Sequence, residues 1–139
     1  MSRTAARGRT ERCGESEARK RLRDAEEFLR AAEAEAEKSS QEATNVAANL
    51  LVSAGIAAAD AACCKALGKR SRSQDHRDGG ALLRLIAQGG KAASNSFDRL
   101  IAQKDLTDYG FANVGRSQFV MLPRQATALV KFAATTISR

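Results

Sequence analysis

The chain has 139 residues, 43% of them apolar, with one proline, no tryptophan and a formal net charge of +7. A single domain of this length can bury a core of its own, and the dominance of alanine and leucine over β-branched and aromatic residues excludes a sandwich or barrel and points to an all-α fold. The charge is uneven: residues 1–64 hold 10 Lys/Arg and 11 Asp/Glu, whereas residues 65–139 hold 13 and 5, so the basic half favours an anionic partner, most simply a nucleic acid.

Residues 1–15 are rich in Arg, Thr and Gly with no periodic apolar face, and read as a disordered basic arm. Residues 16–139 read as an antiparallel bundle of about five helices joined by short loops. The first is expected from Ser16 to Lys38, with Ser16 as its cap. Its narrow apolar face is Leu22, Ala25, Leu29, Ala32 and Ala36, and charges such as Arg23 and Glu27 lace the opposite face. Ser39 and Ser40 break the pattern. The second helix runs from Gln41 to Leu67, is apolar nearly all round and is therefore central. A polar stripe of Asn45, Asn49, Ser53 and Asp60 faces solvent, a partner or a buried network, and Gly55 suggests a close helix approach. Gly68 ends the helix and opens a basic loop to Asp75.

A third helix is expected from near Asp75 through Ile86, weakened by Gly79 and Gly80 and stopped by Gly89 and Gly90. The fourth runs from about Ala92 to Tyr109, with Gly110 after it. The last ends near Ile137. Its start lies either at Leu122, with Pro123 in the first turn, or earlier with Ser117 as cap and Pro123 inside; the earlier start is favoured.

Three cysteines, two of them adjacent at Cys63 and Cys64, do not form a disulfide framework, and the adjacent pair reads as small core residues. One histidine and no second Cys/His cluster leave no metal site, and no cofactor is expected. The first 20 residues lack an apolar signal core. The longest apolar run, Val46 to Cys64, is interrupted by polar residues, so it reads as a buried helix with no membrane partner and a cytoplasmic address.

Three stretches together resemble the HEPN superfamily (higher eukaryotes and prokaryotes nucleotide-binding) over about residues 18–136. They are the small-residue helix Ala54-Gly-Ile-Ala-Ala-Ala-Asp-Ala-Ala, the run Asp75-His76-Arg77-Asp78 before Ala81-Leu82-Leu83, and the segment from Arg99 through Lys104 and Asp108 to Tyr109-Gly110. The resemblance implies a four- or five-helix bundle, often a homodimer, in a prokaryotic defence or toxin–antitoxin setting. RNA or a cognate protein would be its partner.

Many HEPN domains are metal-independent ribonucleases that use an Arg and a His with four to six residues between them. The Arg would stabilise the charge on phosphorus and the His would move the ribose proton. Arg70 and His76 match that spacing and are the catalytic candidates. The segment better placed for the motif carries Tyr109, but Asp108 stands where the His belongs, and an Asp is a poor base near neutral pH. The resemblance therefore implies RNA binding with degenerate or weak catalysis, through Arg99, Lys104, Asp108, Tyr109 and Arg116. The alternatives are a non-catalytic dimerisation scaffold and an active ribonuclease.

Overall fold

The computed structural model describes residues 9–72, 77–107 and 113–139, without the side chains of 104–107. Its elements in chain order are β1 (Thr10–Arg12), α1 (Glu15–Ala36), α2 (Gln41–Leu67), β2 (Lys69–Ser71), α3 (Arg77–Arg84), α4 (Gly90–Thr107) and α5 (Arg116–Ser138). The fold is an all-α bundle with one small ribbon of two antiparallel strands, β1 beside β2.

The central helix α2 has the bounds its sequence sets. The Ser40 hydroxyl accepts the Ala43 N–H at 3.0 Å, satisfying one of the free donors at the helix start. Gly68 closes the other end at φ 74°, a left-handed conformation that costs glycine nothing. Between them α2 is buried along Ala47, Leu51, Ala54, Ala58, Ala61 and Ala62, and α1, α3, α4 and α5 all pack on it. By length and hydropathy α2 is able to cross a membrane, yet 72% of its apolar window lies inside the bundle, as the core reading requires.

Helix α1 lies antiparallel to α2, with the Lys65 ammonium 2.8 Å from the Glu15 carboxylate at one end. Its N-cap is Gly14 rather than Ser16, because Glu17 folds back to accept the Gly14 N–H at 2.9 Å. Ala18, Ala25 and Ala32 are buried at seven-residue spacing, a seam of methyl groups against α2, with Leu22 and Leu29 packed beside it. Ala36, expected on this face, is exposed where the helix ends. In place of an Arg23–Glu27 pair, Glu27 takes Arg30 at 2.8 Å.

Helices α3 and α4 form a tight antiparallel hairpin. The glycines that weaken α3 by propensity are what lets it close. A Cβ on Gly79 would lie 3.1 Å from Phe97 Cζ, and one on Gly80 would lie 2.5 Å from Asp98 Oδ1. The helix stops at Arg84, earlier than expected, and Leu85 and Ile86 follow it in a turn closed by N–H bonds to the Leu82 and Leu83 carbonyls. The expected start at Asp75 lies outside the described residues.

Helix α5 takes the earlier of its two starts, with Pro123 inside it. Its N-cap is Gly115 rather than Ser117, and the Gly115 N–H donates to Gln118 Oε1 at 2.7 Å. The polar stripe of α2 fixes this start. Asn45 Oδ1 accepts the Val114 N–H at 3.0 Å, and Gln41 Nε2 donates to the Val114 carbonyl at 3.0 Å. Because both helices begin there and Gly55 later meets Leu129, α2 and α5 run in the same direction, an exception to the expected antiparallel neighbours.

Two features correct the sequence reading. Arg9–Gly14 is not part of a disordered arm: β1 pairs with β2 in the register Thr10–Ser71, Glu11–Arg70 and Arg12–Lys69. Cys64 is not a free core residue either, since it is bonded to Cys13 across 51 residues of sequence, leaving Cys63 free and buried. Cross-linking a loop of that order stabilises the folded state by roughly 4 kcal/mol, mainly by restricting the unfolded chain.

Candidate functional site

The only acid in the Val46–Cys64 run is Asp60, and its side chain is 12% exposed. A buried carboxylate is stable as an ion only with well-placed cations. Two arginines supply them. Arg21, from α1, approaches Asp60 Oδ2 through Nε at 3.2 Å and Nη2 at 3.1 Å. Arg70, from β2, reaches the same oxygen through Nη1 at 3.2 Å. The outer edge of the Arg70 guanidinium is taken by Glu11 of β1, with Nη2 at 2.8 Å and Nε at 3.2 Å. Arg21 in turn holds Asp24 at 3.1 Å. Three elements, α1, α2 and the ribbon, therefore meet at one carboxylate.

Burial raises the Asp60 carboxyl above its usual range, and the charges of Arg21 and Arg70 pull in the opposite sense. Burial also works against the Arg70 charge, but its hydrogen bonds and ion pairs with Glu11 and Asp60 outweigh that and lift its pKa. The neighbouring Cys63 thiol is pushed up to about 12, by burial first and by the Asp60 charge second. It stays protonated and is no nucleophile near neutral pH.

The two arginines form a wall between two hollows. One is a cleft of about 290 Å³, with Arg21, Asp60, Arg70 and Arg72 on its polar side and Ile56 and Phe97 on its apolar side. The other, of about 470 Å³, lies beneath β1 and is lined by Glu11, Lys20, Arg21, Asp24, Arg70 and the Cys13–Cys64 disulfide. In the first, three guanidiniums face one carboxylate. Arg72 is 59% exposed, and its Nε lies 3.9 Å from Glu11. The arrangement can receive a compact anion beside an apolar surface. Among the described residues no group of three or more His, Cys, Asp and Glu is placed to hold a metal ion.

Of the residues expected at the site, Arg70 is at its centre. His76, Asp108 and Tyr109 lie outside the described residues. Lys104 belongs to α4, with its side chain outside the description. Arg99 on α4 and Arg116 at the start of α5 are exposed, and no hydrogen bond or ion pair joins them. Sequence reasoning missed Arg21, Glu11 and Arg72 as one cluster. The available signal was Asp60 itself: a lone acid in an apolar helix requires a cation from elsewhere in the chain. No family model, curated protein or solved structure matches this chain.

Proposed function

We propose that this helical domain binds RNA in the manner of a HEPN-like module, through the cleft lined by Arg21, Arg70 and Arg72. The carrying observation is that cleft: three guanidiniums and one carboxylate beside an apolar wall, in a chain of net charge +7. Phosphates suit the planar donors of arginine. The exposed Arg99 and Arg116 extend the surface over which a strand is attracted. Catalysis is expected to be absent or weak, because Arg70 is engaged by Asp60 and Glu11 rather than open toward a phosphoryl group.

The test is fluorescence anisotropy with a short labelled single strand of RNA at several salt concentrations. The expected result is binding that weakens steeply with salt and is weaker still in Arg72→Ala. Each lost phosphate contact lowers the salt slope by about 0.7 for a single strand. Salt-insensitive binding, or none, removes the reading. Incubation of the same protein with RNA without metal is expected to leave the RNA intact. Cleavage lost in His76→Ala would instead establish a ribonuclease. A second reading, a self-associating module, is favoured by the exposure of Val46, Val120 and Met121.

A further inference from the structure

We infer that β1 is a redox-held cover over the hollow behind the two cleft arginines: the Cys13–Cys64 disulfide keeps Glu11 on Arg70, and reduction releases Glu11 and opens that side of the guanidinium to an anionic ligand. The ligand class rests on the RNA reading, whereas the cover rests on the ribbon alone. Three observations carry it. First, β1 is three residues long and, among the described residues, pairs only with β2. Isolated two-stranded ribbons are marginal in water, and here Arg12 stands opposite Lys69, a repulsive cross-strand pair. Two further backbone bonds, from the Cys13 N–H to the Gly68 carbonyl at 3.0 Å and from the Arg72 N–H to the Arg9 carbonyl at 3.1 Å, extend the ladder by little. Beyond the two residues that lead into α1, the covalent hold is the disulfide.

Second, Glu11 accepts from Arg70 Nε and Nη2, two donors that a phosphate could otherwise take. Its carboxylate is 44% exposed, so the pair is screened and exchanges readily once the strand is free. Third, the disulfide and Glu11 line the same hollow, which Arg21 and Arg70 separate from the cleft. Removing β1 opens that hollow to solvent and makes the two guanidiniums accessible from both sides.

The chemistry balances with a dithiol as reductant. One thiolate of the dithiol attacks the sulfur of the partly buried Cys13, the S–S bond breaks, and Cys64 leaves as a thiolate that takes a proton. The second thiol of the reductant then displaces Cys13. Two electrons and two protons pass to the protein, giving two cysteine thiols, and the reductant becomes its own disulfide. Cys63 stays protonated beside the reaction and does not compete. In a reducing compartment the open form predominates, and oxidation closes it.

The experiment measures two things on oxidised and dithiothreitol-reduced protein: the rate of phenylglyoxal modification of Arg70 by peptide mass spectrometry, and RNA affinity by anisotropy. The exposed Arg116 is the internal reference, iodoacetamide labelling confirms free Cys13 and Cys64, and circular dichroism confirms the helices. The expected result is that reduction speeds Arg70 modification and tightens RNA binding, each by about fivefold, the equivalent of ~1 kcal/mol for one partly exposed charge pair. Cys13→Ser behaves as the reduced form throughout. Glu11→Gln gives the faster modification even when oxidised. An unchanged Arg70 rate with both thiols free overturns the cover. A faster rate with no RNA binding by either form overturns the RNA reading and leaves the cover standing.

Discussion

Asp60 is an acid in the middle of the core helix, and its two arginines come from positions 39 residues before it and 10 residues after it. The cost of burying the charge is met only when α1 and β2 are both in place, so this residue couples the ribbon to the bundle. Its pH behaviour opposes that of the exposed acids. Because burial raises the folded pKa of Asp60, its ionisation subtracts from stability as pH rises above the ordinary value of 3.8. Glu17 has the other sign. The Gly14 N–H holds its carboxyl below the ordinary 4.5, so its contribution is complete above that value and is lost as pH falls through the folded pKa. Urea midpoints at about pH 6 and about pH 3 are expected to fall further for wild type than for Glu17→Gln, whose amide still accepts but does not titrate. Equal falls would mean that the carboxylate at the start of α1 adds nothing. The sequence points to Ser16 as the cap, because a glycine cap held from three residues on leaves no mark in composition.

At the level of elements, glycines set how closely the helices approach, and two of the closest sites differ in what they meet. A Cβ on Gly55 would stand 2.5 Å from Leu100 Cδ1, the end of a side chain that can rotate. One on Gly90 would stand 2.2 Å from the Leu83 carbonyl oxygen, which belongs to the α3 backbone. Gly55→Ala is expected to cost about 1–3 kcal/mol, the range for overpacking a core that can shift. Gly90→Ala is expected to cost more, because the hairpin of α3 and α4 must separate to admit the methyl group. Denaturant unfolding of the two variants orders them, and a milder effect at Gly90 would show that the hairpin is not close-packed. The close approach at Gly55 was legible, since a glycine inside a strongly helical run needs such a reason. The bounds of α2 were legible too, because Ser40 and Gly68 are strong local signals. The C-terminal end of α3 was not, because Leu85 and Ile86 continue the apolar pattern while the backbone turns to bring α4 back.

For the whole molecule, the all-α class followed from composition, whereas the ribbon and the disulfide did not. A three-residue strand has no periodicity to detect, and adjacent cysteines at 63 and 64 do not say which one meets Cys13. Half of the candidate site was visible for the same reason: Arg70 stood out by its spacing to His76, while Arg21 and Glu11 arrive by packing across long sequence separations. One surface still has no use in this account. Val46, Val120 and Met121 are 45%, 57% and 46% exposed. They lie on the first turns of α2 and α5, the two helices that Asn45 and Val114 join at their starts. Apolar side chains gathered at one end of a small basic bundle are better covered than hydrated, and a second copy meeting through the same patch would cover both at once. Light scattering over a dilution series is expected to show a dimer that dissociates on dilution. Val120→Glu should shift it to monomer by placing two carboxylates in the joint. A monomer at every concentration removes this association. A dimer insensitive to Val120→Glu places the contact elsewhere on the bundle, and a variant that loses RNA binding together with the dimer would show that the cleft is completed by two copies.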